Sequence, residues 1–158
     1  MDTTELDVAY RHLLTAAGAI SDTTPLAVDS RSDINWTLSH IALSDRILAA
    51  AARDVLTGFP AIVDNRNAMD DTAINTLIAS TTHTQRVQLV RRNAADLGAV
   101  IRAIPDHAAA MPVKLHLVSR DGQSVPEQRL PWSDLILLRA TEHLPRHTER
   151  LTLLASEE

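Results

Sequence analysis

Apolar residues recur at intervals of three and four through most of the chain. Between Asp2 and Ile20 they are Leu6, Tyr10, Leu13, Ala17 and Ile20, the repeat of one face of an α-helix. The next stretch, to Asp33, holds Thr23, Thr24, Pro25, Asp29 and Ser30 and reads as a linker, with Ser32 or Asp33 placed to cap a second helix from Ile34. That helix is expected to run to Thr57 and stop at Gly58-Phe59-Pro60, where glycine can turn left-handed and proline cannot continue the hydrogen-bond ladder. After a polar loop, Asp70 and Asp71 open a long third helix, whose later half has the stripe His83, Val87, Val90, Ala94, Leu97, Ile101 and Ile104. Two extended runs, Val113 to Val118 and Gln123 to Leu130, flank Ser119-Arg120-Asp121-Gly122. Asp-Gly there predicts a β-hairpin whose two central residues take positive φ, and Pro126 and Pro131 suit an exposed ribbon. From about Ser133 a fourth helix reaches the C-terminus, with the stripe Leu137, Ala140, Leu144, His147, Leu151 and Leu154.

Four amphipathic helices each need a partner for the apolar stripe, so the expected fold is mainly α, a four-helix bundle with a small β-hairpin before the last helix. The 158 residues suit a single domain, 1–158. Aromatic residues are few, two Trp, one Tyr and one Phe, so aliphatic side chains must supply the core. Cysteine is absent, which removes thiolate ligands and disulfides and leaves histidine and carboxylate as the strong metal donors. With 15 basic residues against 20 acidic ones, scattered along the chain, the field is wrong for a nucleic-acid backbone. The acidic start, Met1-Asp2-Thr3-Thr4-Glu5, has neither the basic cluster nor the apolar run of a signal or a membrane span. A cytoplasmic location without membrane partners is the expectation.

The histidines carry the candidate chemistry. Helix two places Trp36, His40, Leu43 and Ile47 on one strip, which turns His40 inward. On helix four, His143 and His147 stand one turn apart and can converge on one point. Three neutral imidazoles suit a divalent cation and leave coordination positions for a ligand, the mark of a catalytic rather than a closed structural site. Pro145 lies between the two, removing a backbone donor and bending the helix. The alternative is a set of core histidines hydrogen-bonded to backbone.

Three segments, Ile34-Asn35-Trp36-Thr37-Leu38-Ser39-His40-Ile41-Ala42, Leu130-Pro131-Trp132 and Glu142-His143-Leu144-Pro145-Arg146-His147, together resemble the DinB-like superfamily. That group includes the N-terminal domain of mycothiol-dependent maleylpyruvate isomerases and related thiol S-transferases. The resemblance implies an up-down-down-up bundle and a divalent metal, zinc or nickel, held by His40, His143 and His147. It also implies a low-molecular-weight thiol such as mycothiol as a second cofactor. Some thiol-dependent members have a carboxylate at the first of the paired positions, where this chain has His143 with Glu142 beside it.

Around these ligands, Asp45, His83, Arg139 and Glu142 are candidates for orienting a ligand or holding substrate. For the first three, a plainer role competes: Asp45 in an ion pair with Arg46 or across helices, His83 as a core histidine, Arg139 as a surface arginine, which is the preferred reading of that residue. Trp36 and Trp132 are candidate pocket walls, with core packing as the alternative. The expected function is a metal-dependent thiol S-transferase or isomerase acting on a small molecule. The alternatives are a hydrolase using metal-bound water and a non-catalytic bundle that binds a ligand or pairs with a second copy through a helix face.

Overall fold

The computed structural model describes residues 1–156. Its elements in chain order are α1 (Thr4–Gly18), α2 (Val28–Thr57), β1 (Ile62–Asp64), α3 (Arg66–Met69), α4 (Asp71–Ala79), α5 (His83–Ala103), α6 (Asp106–Ala109), β2 (Pro112–His116), β3 (Gln128–Pro131), α7 (Trp132–Leu138) and α8 (Leu144–Ala155), with a π-helical turn over Arg139–His143 joining the last two. The four long segments α1, α2, α5 and α7–α8 form the bundle. Bonds between them set the directions. His83 Nε2 donates to the Ala17 carbonyl and Arg102 to Thr3 Oγ1, both at 2.9 Å, so α1 and α5 are antiparallel. Arg86 donates to Asn35 and Arg53 pairs with Asp96, which makes α2 and α5 parallel. Arg150 pairs with Asp33 and Arg139 with Asp45, so the last helix runs against α2. The order is up-down-down-up, as the resemblance implied.

Where the elements differ from expectation, a local cause is visible. Helix α2 starts at Val28, six residues early, because Asp33 is not a cap: its carboxylate accepts from Arg120 and Arg150 instead. The third helix is two helices. Thr82 caps α5 by accepting from the Gln85 amide while Gln85 returns a bond to the Thr82 amide, a capping box that ends the previous run at Ala79. Gly58, at φ 76°, closes α2 as expected. At the hairpin tip only Gly122 has positive φ, 79°, so Asp121 keeps an ordinary conformation and the expected pair of left-handed residues is reduced to one.

The ribbon is also part of a three-stranded sheet. β2 pairs antiparallel with β3, from Pro112 opposite Pro131 to Leu115 opposite Gln128, and parallel with β1, Val63 opposite Leu115. The second strand therefore starts at Gln128 rather than Gln123; an isolated bridge, Val118 to Ser124, precedes it, and Pro126 cannot donate to a ladder. Val113 and Leu115 point into the core while Lys114 and His116 point away, so the sheet buries one face. The last helix is continuous with Trp132, and the part of its expected run at 157–158 lies outside the described residues. Among the described residues no helix is long and apolar enough to cross a membrane.

Candidate metal centre

His40 sits in the middle of α2, 3% exposed, against Ala68 of the short helix α3. Its Nδ1 donates to the Ala68 carbonyl at 2.8 Å, which turns the Nε2 lone pair toward the last helix. There His143 Nε2 stands 3.3 Å away. His147 completes the group, its ring 5.3 Å from His40 and 4.6 Å from His143 between centroids. One nitrogen from each of the three lies within 4.8 Å of the others.

His143 and His147 share a face because they stand one turn apart at the start of α8, and the turn that leads into them, Arg139–His143, is π-helical. Pro145 lacks an amide hydrogen, and its ring would press on the Thr141 carbonyl in a regular helix. The turn widens instead, with Leu144 bonding back to the Arg139 carbonyl five residues earlier. This extra residue also rotates the inward face of the first part of the helix. Trp132, Ile136, Arg139 and Ala140 point in, whereas Leu137, expected on the stripe, is 50% exposed.

Arg139 is accordingly not a surface arginine. It is 6% exposed and donates through Nε to the Tyr10 hydroxyl at 3.1 Å and through Nη2 to Ser44 at 3.1 Å and to Asp45. Tyr10 in turn donates to Asp45. The remaining nitrogen, Nη1, reaches His143 Nδ1 at 3.3 Å. A guanidinium can only donate, so His143 Nδ1 accepts and its Nε2 proton points at His40. Burial opposes the Arg139 charge, but Tyr10 and Asp45 beside it hold the group firmly cationic. Burial pushes the Asp45 carboxyl up from the ordinary carboxylate range, with Arg139 and Tyr10 pulling the other way. Asp45 thus pairs across helices and reaches the histidines only through Arg139; Arg46 is exposed and takes no part.

All three imidazoles are held neutral. Burial lowers His40 to about 4 and His147 to about 3, and it takes His143 further down, with Arg139 adding to each. Neutral imidazoles with a ring nitrogen each near one point are what a divalent cation of borderline softness needs. The bond from His40 to the Ala68 carbonyl is of the kind that orients a metal ligand from behind. For His143 to offer Nε2 to a cation, its proton must move to Nδ1, and the contact that Arg139 makes there must give way. The residues therefore fit a divalent metal.

A cleft of about 430 Å³ opens onto the group. Its polar wall is His40, Ser44, Asn65, Gln128, Arg139, Glu142, His143 and Arg146, and the remainder is chiefly aliphatic, from α2, α7 and the sheet. Glu142 is exposed at its edge. His83 is not in this neighbourhood: its Nε2 is used on the Ala17 carbonyl, and it stands among core residues. Trp36 does wall the site, stacking on His40 at 5.0 Å with an interplanar angle of 12°, and Arg120 lies over the indole at 4.2 Å from the ring centroid. Trp132 is fully buried in the core. Sequence reasoning passed over Tyr10, Ser44, Arg120 and Arg146. For Tyr10 a signal existed: it is the chain's one tyrosine and lies on the buried stripe of α1, where its hydroxyl requires a partner.

No family model and no curated protein matches the sequence. Among solved structures, that of the mycothiol-dependent maleylpyruvate isomerase superposes with a TM-score of 0.65 at 14% identity, over 98% of this chain and 59% of that one. The chain thus spans somewhat over half of the isomerase's length. At that identity the likeness is one of fold, a mainly helical bundle consistent with the DinB-like architecture that the resemblance implied.

Proposed function

We propose that the chain is a divalent-metal-dependent enzyme of the DinB-like type, a thiol-dependent S-transferase or isomerase acting on a small molecule, with zinc or nickel held by His40, His143 and His147. The observation that carries this reading is the convergence of three neutral imidazoles, His40 buried and His143 and His147 half-buried, from two helices at the wall of a largely apolar cleft. The shared fold with a mycothiol-dependent isomerase supports a small thiol, such as mycothiol, as the second cofactor.

A cation bound there would act as a Lewis acid and favour the anionic form of a thiol. The chain's own residues do the rest. The Ala68 carbonyl orients His40, and Arg139, braced by Asp45, Tyr10 and Ser44, stands as a fixed cation beside His143. A substrate seated against the aliphatic side chains would displace water from the cleft, which strengthens the electrostatic contacts inside it. Glu142, exposed at the edge, is placed to take or give a proton to a substrate in the cleft.

One feature favours hydrolysis as a second reading: three imidazoles and no carboxylate form the donor set, which leaves a cation its full charge for activating water. Cobalt substitution separates the two. Visible spectra of the cobalt protein should change on addition of a small thiol if the first reading holds, and should be indifferent to it under the second. Elemental analysis of untreated protein that finds no divalent metal, with none taken up on incubation with zinc or nickel, would exclude both and leave a ligand-binding or self-pairing bundle.

A further inference from the structure

Four arginines surround the histidine group. Arg139 is matched by Asp45, and Arg120 and Arg150 share Asp33, at 3.0 Å for Arg120. Arg146 is matched by nothing: among the described residues no carboxylate lies within 4.0 Å of it, and it is exposed. Glu142 and Glu149, one turn to either side, are also exposed and pair with none of these arginines.

The position of Arg146 is specific. A second cavity, about 390 Å³, lies on the other side of the group, with His147, Trp36 and Arg120 in its wall. It shares one lining residue with the aliphatic cleft, and that residue is Arg146. An unpaired guanidinium thus stands beside the imidazoles at the junction of the two cavities. The aliphatic side of the first, with Ile47, Leu115, Leu117, Leu130 and Leu135, offers no donor or acceptor from its side chains. A ligand that fills this space has an apolar body, and its polar end meets Arg146, the one of these four arginines without a carboxylate partner among the described residues.

We propose that the substrate of this site is a small amphiphilic carboxylate, its aliphatic or aryl body in the cleft and its carboxylate on Arg146. This rests on the histidine cleft being the functional site. One planar guanidinium matches one carboxylate through two parallel hydrogen bonds, whereas a phosphate would call for more donors than a single unpaired arginine. The volume is at the lower end of the range for small-molecule sites.

The test is calorimetric binding of butyrate, hexanoate and octanoate, and of octan-1-ol as a neutral counterpart, to the zinc-loaded protein and to protein without added metal. Affinity should rise about fourfold per added methylene until the cleft is filled. Octanoate should bind at least tenfold more tightly than octan-1-ol. Arg146→Gln, a change at an exposed position, should weaken octanoate about tenfold while leaving octan-1-ol and zinc binding as they are. Equal binding of acid and alcohol, no dependence on chain length, or an Arg146→Gln protein that binds octanoate unchanged would each overturn the proposal. Absence of zinc binding would count against the proposed function instead, and the acid-alcohol comparison without added metal would still decide this one.

Discussion

At the scale of single residues, the site depends on three histidines kept neutral and one arginine kept charged. The histidines make stability depend on pH in a definite direction. His40 titrates at about 4 in the folded protein against an ordinary value of 6.5, so between these values the unfolded chain binds the extra proton. Its contribution is full above the upper value and is lost as pH falls toward the lower one. Denaturant titrations of His40→Asn across this window should show a stability that rises with pH less steeply than the wild type, by up to one proton; identical slopes would contradict the burial argument. Arg139 and Asp45 form a pair with almost no access to water. Replacing Arg139 by Met strands a buried carboxylate and should cost about 3–5 kcal/mol in chemical denaturation, whereas Asp45→Leu combined with Arg139→Met should recover most of the loss. The pair was hard to see in sequence because its partners, Tyr10, Asp45 and Arg139, come from three helices, and only packing reveals which polar residues share a pocket.

At the scale of elements, the informative region is the join between α7 and α8. Proline at 145 marks a disturbance, and that much is legible in sequence; the form it takes, a π-helical turn that rotates Leu137 outward and Arg139 inward, depends on the helix being packed on both sides. Pro145→Ala would restore an amide donor and let the turn relax to regular α-helix. Calorimetry should then show zinc affinity reduced by at least tenfold, in line with the sensitivity of metal sites to the support of their ligands, while the melting temperature stays level or rises. The break between α4 and α5 has a different origin. Thr82 and Gln85 form a local signal, three residues apart, that a reading focused on the apolar stripe passed over. Thr82→Ala should lower stability by about 1 kcal/mol in thermal or urea melts and leave metal binding untouched, because α5 contributes no ligand.

At the scale of the whole molecule, the metal reading predicts linkage between the ion and folding. A ligand at a hundred times its dissociation constant stabilises the native state by about 2.7 kcal/mol, or roughly 5–11 °C in melting temperature for a chain of this size. Zinc should raise the wild-type melting temperature by that amount, chelator should reverse it, and His40→Ala should show no shift; a shift in that variant equal to the wild type's would place the ion elsewhere. The periodicity of Leu, Val and Ala was enough to determine the four bundle helices, and the positions of His40, His143 and His147 on their inward faces followed from the same arithmetic, since a helical face is a local property of the chain. The strand β1, three residues long, left no periodic trace, and its pairing with β2 is a contact between segments some fifty residues apart. The charge state and partners of Arg139, the stacking of Trp36 on His40 and the isolation of Arg146 from every described carboxylate were likewise decided by tertiary structure, because burial and proximity across helices are set by packing and no spacing along the chain encodes them.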